Sequence, residues 1–333
     1  MQAGTVIEKI RNKKVNKKDL VIVILLFIIA ALIFFGWNYF RTKQNPISID
    51  IAPSAKAHKY LFSIYEPGVL SRPLGVAVSQ WGDIIVADSA NHRIAIFDAN
   101  GKFTKFIGKM GQGPGEFNYP TSVAVHGGKI YVADFYNQRV QALNFNGEQL
   151  SVLPNSRDTR EIGSGIMPVT LAVDKNGKLY VSDVSQQKIL IFDDKGRFTG
   201  SIGNGGSGDG QISYVNGIAV NVDSGEVCLS NSNNSRIDVF TLEGKYMGQR
   251  LGPKQVANPK GIAFEESTGM LYVADTLAHR ILVSDREGKI VEYIGRRGLD
   301  SGQFNFPTAV AIDKRGRLYV ADRENNRIQV FDR

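Results

Sequence analysis

Six times along this chain a carboxylate or carboxamide is followed five residues later by a cation. The pairs are Asp88 and Arg93, Asp134 and Arg139, Asp183 and Lys188, Asn231 and Arg236, Asp275 and Arg280, and Asp322 and Arg327. As chemistry, such a set could be a ring of cations facing an anion. As structure, each carboxylate caps a turn through an Asx-type hydrogen bond and balances the charge beside it. Recurrence in every copy favours the structural role, because a scaffold repeats what a site uses once.

Other reactive residue types are sparse. Of the four histidines, His92 and His279 occupy equivalent turn positions in copies that are not neighbours, while His58 and His126 stand elsewhere. A zinc site needs three or four ligands converging on one ion, and the spacing supplies none, so neither metal nor cofactor is expected. The single cysteine, Cys228, excludes an intramolecular disulfide. It takes the place held by Ile85, Tyr131, Tyr180, Tyr272 and Tyr319 in the other copies, which makes it a small core residue. No Ser-His-Asp or Cys-His set can be assembled from the spacing. The glycine-rich stretch from Ile202 to Gln211 looks like a phosphate loop. Such a loop opens onto a helix N-terminus, whereas this one precedes a strand and reads as a turn.

The elements that position these residues repeat as well. A glycine stands six residues before each aligned Asp or Asn (Gly82, Gly128, Gly177, Gly225, Gly269, Gly316), and another thirteen after it (Gly101, Gly147, Gly196, Gly244, Gly288). Glycine supplies the positive φ of tight turns, so each copy is a four-stranded antiparallel meander, with strands a to d. Strand a is short and small, as in GVAV at Gly75 to Val78, whereas Phe97, Phe192, Phe240 and Phe331 fall late in strand c. Small residues where sheets converge and aromatics where they diverge describe a wedge. Wedges packed radially form a β-propeller. The sixth copy ends before its strand d, and Tyr60 to Tyr65 can fill that gap and remove two free edges. The expected fold class is therefore an all-β, six-bladed β-propeller over residues 60–333, preceded by one transmembrane helix.

The chain is 333 residues long and 43% hydrophobic, enough for a substantial core. Its net charge of +8 is uneven. Residues 1–43 hold eight Lys or Arg against two Asp or Glu, leaving 32 against 30 for residues 44–333. A nearly neutral repeat region lacks the concentrated basic footprint of phosphate binding, so nucleic acid is not an expected partner. From Leu20 to Phe40 there are 21 residues without a charge. At about 1.5 Å per helical residue they span roughly 31 Å, the thickness of a hydrocarbon core. Bulky FFGWNYF stands where a cleavage site would need small residues. The expectation is a basic cytoplasmic tail (1–19), a membrane-spanning signal anchor (20–40), a linker (41–59) and a propeller held outside the cell membrane.

The repeats resemble the NHL-repeat family over residues 60–333. The resemblance is carried by Pro73-Leu74-Gly75-Val76-Ala77 before strand a and Tyr131-Val132-Ala133-Asp134 in strand b. Asn325 to Asp332 in the next turn and strand, and Ile107 to Pro120 between blades, carry it further. It implies a propeller fold and a range of roles: RNA binding, extracytoplasmic sensing, protein scaffolding, and a peptide-amidating lyase whose zinc histidines lie near the starts of inner strands. Here those positions are Leu74, Thr121, Val169, Asn216, Lys260 and Thr308, so the lyase activity is not expected.

Successive aligned Asp or Asn residues are 46, 49, 48, 44 and 47 apart. With the glycine offsets fixed, all variation falls between strand d and the next strand a. Variation on one face of a repeat array points to its binding surface. The candidate channel-mouth residues are Tyr119, Met167, Tyr214 and Phe306, just before strand a, with Thr121, Asn216, Lys260 and Thr308 after them. The longest segment, Leu153 to Pro168, reads as a solvated loop whose Arg157, Asp158, Arg160 and Glu161 could meet a partner. The expected function is a membrane-anchored binding or scaffold module for a protein, glycan or small ligand. The alternative is a lyase or lactone hydrolase working at the channel mouth. The oligomeric state is left open.

Overall fold

The computed structural model describes residues 58–65, 68–163 and 165–333. The expected anchor at 20–40 and its flanking tail lie outside the described residues, among which no helix is long and apolar enough to cross a membrane.

Six four-stranded antiparallel sheets form the blades. Blade 1 runs Gly75–Val78, Ile84–Asp88, Arg93–Phe97 and Phe103–Ile107, and the next four repeat that order. Blade 6 takes Pro307–Ile312, Leu318–Asp322 and Arg327–Asp332 from the end of the chain, and Lys59–Ile64 from its beginning as the outermost strand. Phe62 lies opposite Val330 and Ile64 opposite Ile328, so the ring is sealed by the strand expected from its pattern. That strand begins at Lys59, and His58 before it is pinned to blade 5 through Glu292 (2.8 Å) and the Tyr272 hydroxyl (3.1 Å).

The expected turn glycines all have positive φ, from 71° at Gly225 and Gly269 to 95° at Gly82. Close approach at the axis requires glycine for a different reason. A Cβ on Gly261 would lie 2.5 Å from the Ala309 Cα and 2.8 Å from the Thr308 carbonyl of the next inner strand. Inner strands therefore touch backbone to backbone, while Phe97, Phe192, Phe240 and Phe331 fill the wider space between outer strands and are buried. Cys228 is fully buried in strand b of blade 4, and burial pushes its thiol up to about 12. It is packing material, as its position in the repeat implies.

Each b-to-c connection carries a residue in the left-handed region: His92, Gln138, Gln187, Ser235, His279 and Asn326, with φ between 50° and 55°. These connections share one face with the segments joining strand d to the next strand a, because the Ser71 N–H donates to Asp88 Oδ1 at 2.7 Å across that face.

Candidate functional site

The aligned carboxylates sit where strand b ends, fully buried, and work as clamps. Asp134 Oδ1 accepts the Asn118 N–H (2.7 Å), while Oδ2 accepts from Asn137 (2.8 Å), Arg139 (2.9 Å) and Gln141 (3.3 Å). Asp322 repeats this with Asn305, Asn325, Arg327 and Gln329. The arginine then reaches outward: Arg327 donates to the Asp300 and Gln303 carbonyls at 2.8 Å each. The glycine-rich segments are thus turns whose carbonyls face inward to a guanidinium, the reverse of a phosphate loop. Two copies depart from the expected pairing. In blade 4 the charge has moved to strand c, where Asp238 takes both Asn231 (2.6 Å) and Arg236 (2.9 Å). In blade 3 Asp183 binds the Met167 N–H and Ser185 instead, and it forms no ion pair with Lys188 among the described residues.

Inside this layer, toward the axis, lies the mouth. Tyr119, Tyr214 and Phe306, with Arg72 at the matching place in blade 1, adopt φ of 61°, 53°, 54° and 47°. For a side chain with a Cβ that conformation costs roughly 1–2 kcal/mol. Each is held by the same device: its N–H donates to the left-handed residue of the preceding blade. The acceptors are His92 Nδ1 (3.0 Å), Gln187 Oε1 (2.7 Å), His279 Nδ1 (3.1 Å) and Asn326 Oδ1 (2.8 Å). The equivalent turn histidines are latches between blades. Because Nδ1 accepts, the neutral ring carries its proton on Nε2. Burial holds His279 below its ordinary value of 6.5.

Hydroxyls stitch the blades a second time. Ser89, Ser232 and Thr276, each following the aligned residue, donate to the carbonyls of Pro120, Pro259 and Pro307 at 2.6, 2.5 and 2.7 Å. In blades 2 and 6 that position holds Phe135 and Arg323. There the candidate threonines take over: Thr121 donates to the Pro168 carbonyl (3.4 Å) and Thr308 to that of Pro73 (3.2 Å). The exchange leaves Phe135 and Arg323 to face the axis.

These residues enclose a cavity of about 490 Å³ at the mouth, within the roughly 300–1,000 Å³ of small-molecule sites. Of the expected residues, Tyr119, Thr121, Tyr214, Asn216, Lys260 and Thr308 line it; Met167 and Phe306 do not. Met167 is turned to the Asp183 clamp through its N–H, and Phe306 stacks on His279 with ring centroids 4.4 Å apart. Asn216 is committed to the Ser232 hydroxyl at 2.8 Å. Lys260 differs, for its ammonium has no hydrogen bond or ion pair among the described residues. Burial, and then the nearby Arg323 charge, hold its pKa below the ordinary lysine value. The lining also includes Phe135, Tyr136, Asn233, Asn258 and Arg323, which the sequence reading passed over. Their signal was available: Phe135, Tyr136, Asn233 and Arg323 lie one or two places after the aligned Asp or Asn, in turns already assigned to the variable face.

The segment between blades 2 and 3 is more ordered than a solvated loop. Ser156–Ile162 is a helix capped by Asn155, whose Oδ1 accepts the Arg157 and Asp158 N–H groups at 2.9 Å. Buried Ile166 and half-buried Ile162 pack it onto the core. Arg157, Arg160 and Glu161 face solvent, with Arg157 and Glu161 paired at 3.3 Å. Asp158 is buried and turned away from any partner. None of the four lines the cavity.

The family described as "6-bladed beta-propeller" matches residues 70–153 and 166–258, and the NHL repeat matches residues 304–331. Human NHL repeat-containing protein 2 is 23% identical over 343 residues, covering 80% of this chain and 47% of that protein. Protein brain tumor of Drosophila melanogaster is 34% identical over 140 residues, covering 40% of this chain and 12% of that protein. The chain thus spans about half or less of these relatives. Among solved structures, a gluconolactonase from Xanthomonas campestris superposes with a TM-score of 0.62 at 11% identity, covering 86% of this chain and 98% of that one. A streptogramin B lyase superposes at 0.57 and 15% identity, covering 83% and 98%. At such identities the likeness is one of fold.

Proposed function

The chain belongs to the 6-bladed β-propeller family and carries NHL-type repeats, and on that premise we propose that it is a binding module presenting its loop-rich face to a ligand. The observation that carries this reading is the mouth cavity. It is the place where the repeat stops repeating, with five residue types at six equivalent inner-strand positions and, among the described residues, an unpaired ammonium at one of them. Residues 20–40 supply the anchor in this proposal, and the basic tail before them orients the propeller to the outside of the cell membrane. Protease added to intact cells should then digest the propeller, and protection of the propeller until the cells are lysed would refute the topology. Binding at this face is tested by screening the full chain against arrays of peptides and glycans. Any capture should be lost in Tyr136→Ala while the melting temperature holds.

The alternative is an enzyme of the lyase or lactone-hydrolase type, favoured by the propeller architecture it shares with the streptogramin B lyase and the gluconolactonase. Among the described residues, the cavity lining holds no His, Cys, Asp or Glu. A proton acceptor there would be Lys260 or one of Tyr119, Tyr136 and Tyr214, and loss of activity in Lys260→Met but not in the Tyr→Phe variants would assign the role to Lys260.

A further inference from the structure

The cavity wall is divided by charge and by shape. Its charged lining residues are Lys260, on the inner strand of blade 5, and Arg323, in the turn of blade 6. Arg323 is held at this edge by Phe306, whose ring centroid lies 5.5 Å from its Cζ. One carboxylate stands beside them: Glu324 lies 2.8 Å from Arg323 and 3.4 Å from Arg72. Three cations against one carboxylate leave this edge positive. It is also under-bonded, since the Arg323 Nε is buried without a hydrogen-bond partner and the Lys260 ammonium has none among the described residues. Leaving a charged donor desolvated and unmatched is costly; an incoming anion would match the Lys260 ammonium and meet the exposed part of Arg323, while the buried Nε lies out of its reach.

The other side is aromatic. Tyr119 and Tyr136 of blade 2 lie with ring centroids 5.7 Å apart, and Tyr136 is 60% exposed. Tyr214, entering blade 4, completes this side of the lining. Tyrosines present flat apolar faces with a polar rim, suited to a ring that carries C–H on its faces and hydroxyls around its edge. Asn233 and Asn258 add amides between the two sides.

Building on the binding-face reading, we propose that the mouth cavity takes a sugar ring bearing an anionic group, carboxylate or phosphate, with the anion at Lys260 and Arg323 and the ring against Tyr119, Tyr136 and Tyr214. The test is calorimetry on the full chain in detergent micelles. Galacturonate and glucose 6-phosphate serve as the two anionic sugars, glucose as the neutral ring, and acetate and inorganic phosphate as bare anions. At least one anionic sugar should bind ten-fold or more tighter than glucose and than its own bare anion, and which one wins distinguishes carboxylate from phosphate. Lys260→Met and Arg323→Gln should each weaken that binding ten-fold or more. Tyr136→Ala, on the far side and outside the packed layers, should weaken it several-fold with an unchanged melting temperature. Equal affinity for glucose, equal affinity for a bare anion, indifference to Lys260→Met, or no binding of either anionic sugar would each overturn the proposal. A neutral glycan or a peptide that binds and is lost in Tyr136→Ala would overturn it too, while leaving the binding-face reading in place.

Discussion

Two rings in this propeller lie one inside the other and obey opposite rules. The outer ring is made of the aligned carboxylates and their arginines, such as Asp88 with Arg93 at 2.8 Å and Asp322 with Arg327 at 2.8 Å. It repeats nearly the same contacts, and most of its donors and acceptors are matched. The inner ring is Leu74, Thr121, Val169, Asn216, Lys260 and Thr308, whose residue types change from blade to blade. Part of it is spent on stitching the blades, and part, at Lys260, is left unmatched. What is repeated and saturated holds the fold; what is varied and unsaturated is free to recognise.

That contrast can be broken experimentally. The largest effect belongs to the outer ring. Asp134→Ala strands Arg139 without its carboxylate and unties an N–H and two carboxamides, so it should cost about 3–5 kcal/mol, the range for breaking a buried pair. Urea unfolding measures this, and a loss near zero would remove the carboxylates from the framework. Next is the inner wall. Gly261→Ala forces a Cβ against Ala309 and Thr308, and overpacking of this kind costs about 1–3 kcal/mol. Lys260→Met lies one residue away and should leave stability unchanged or raise it, because it replaces a desolvated charge by a side chain of similar length. Opposite signs for these neighbours would sharpen the division between framework and mouth.

The smallest effect concerns pH. The folded pKa of His279 lies below its ordinary value of 6.5, so below that pH the unfolded chain takes up a proton that the folded chain resists. The stability this latch contributes is present above pH 6.5 and is lost as pH falls through the folded value. Protonation also places a hydrogen on Nδ1, where it meets the Phe306 N–H. Thermal melts from pH 7 to pH 5 should show a decline that is shallower in His279→Gln. In that variant the amide can repeat the Gln187 latch on Tyr214. An identical decline in the variant would place the pH dependence elsewhere.

Several departures from the sequence reading have a shared origin. The constant offset of five pairs Lys188 with Asp183 and Arg236 with Asn231. The structure gives Arg236 to Asp238 instead, since strand c brings a second carboxylate within reach of the same turn. His92 and His279 looked idle because their counterparts in other blades are Gln187 and Asn326. The common feature is an acceptor atom for a left-handed neighbour about 27 residues ahead, a role no residue type announces. At seven residues Ser156–Ile162 is too short to show helical periodicity in the sequence; its cap at Asn155 and its apolar anchors are visible only once Ile162 and Ile166 are seen on the core.

By itself the sequence determined the blade number, the strand order within each blade, a closing strand at Tyr60 to Tyr65, one residue from its place at Lys59–Ile64, and the face that varies. These follow from glycines at fixed offsets and from a period long enough to be counted, both of which are local properties of the chain. Only the tertiary structure decided which mouth residues share the cavity. Tyr136 and Arg323 are far apart in sequence and sit in turns of unremarkable composition, and closing the ring is what brings them to opposite sides of one cavity. The Thr121 and Thr308 hydroxyls went to neighbouring blades for the same reason: a hydrogen bond between blades depends on the angle at which two sheets meet, which no single repeat encodes.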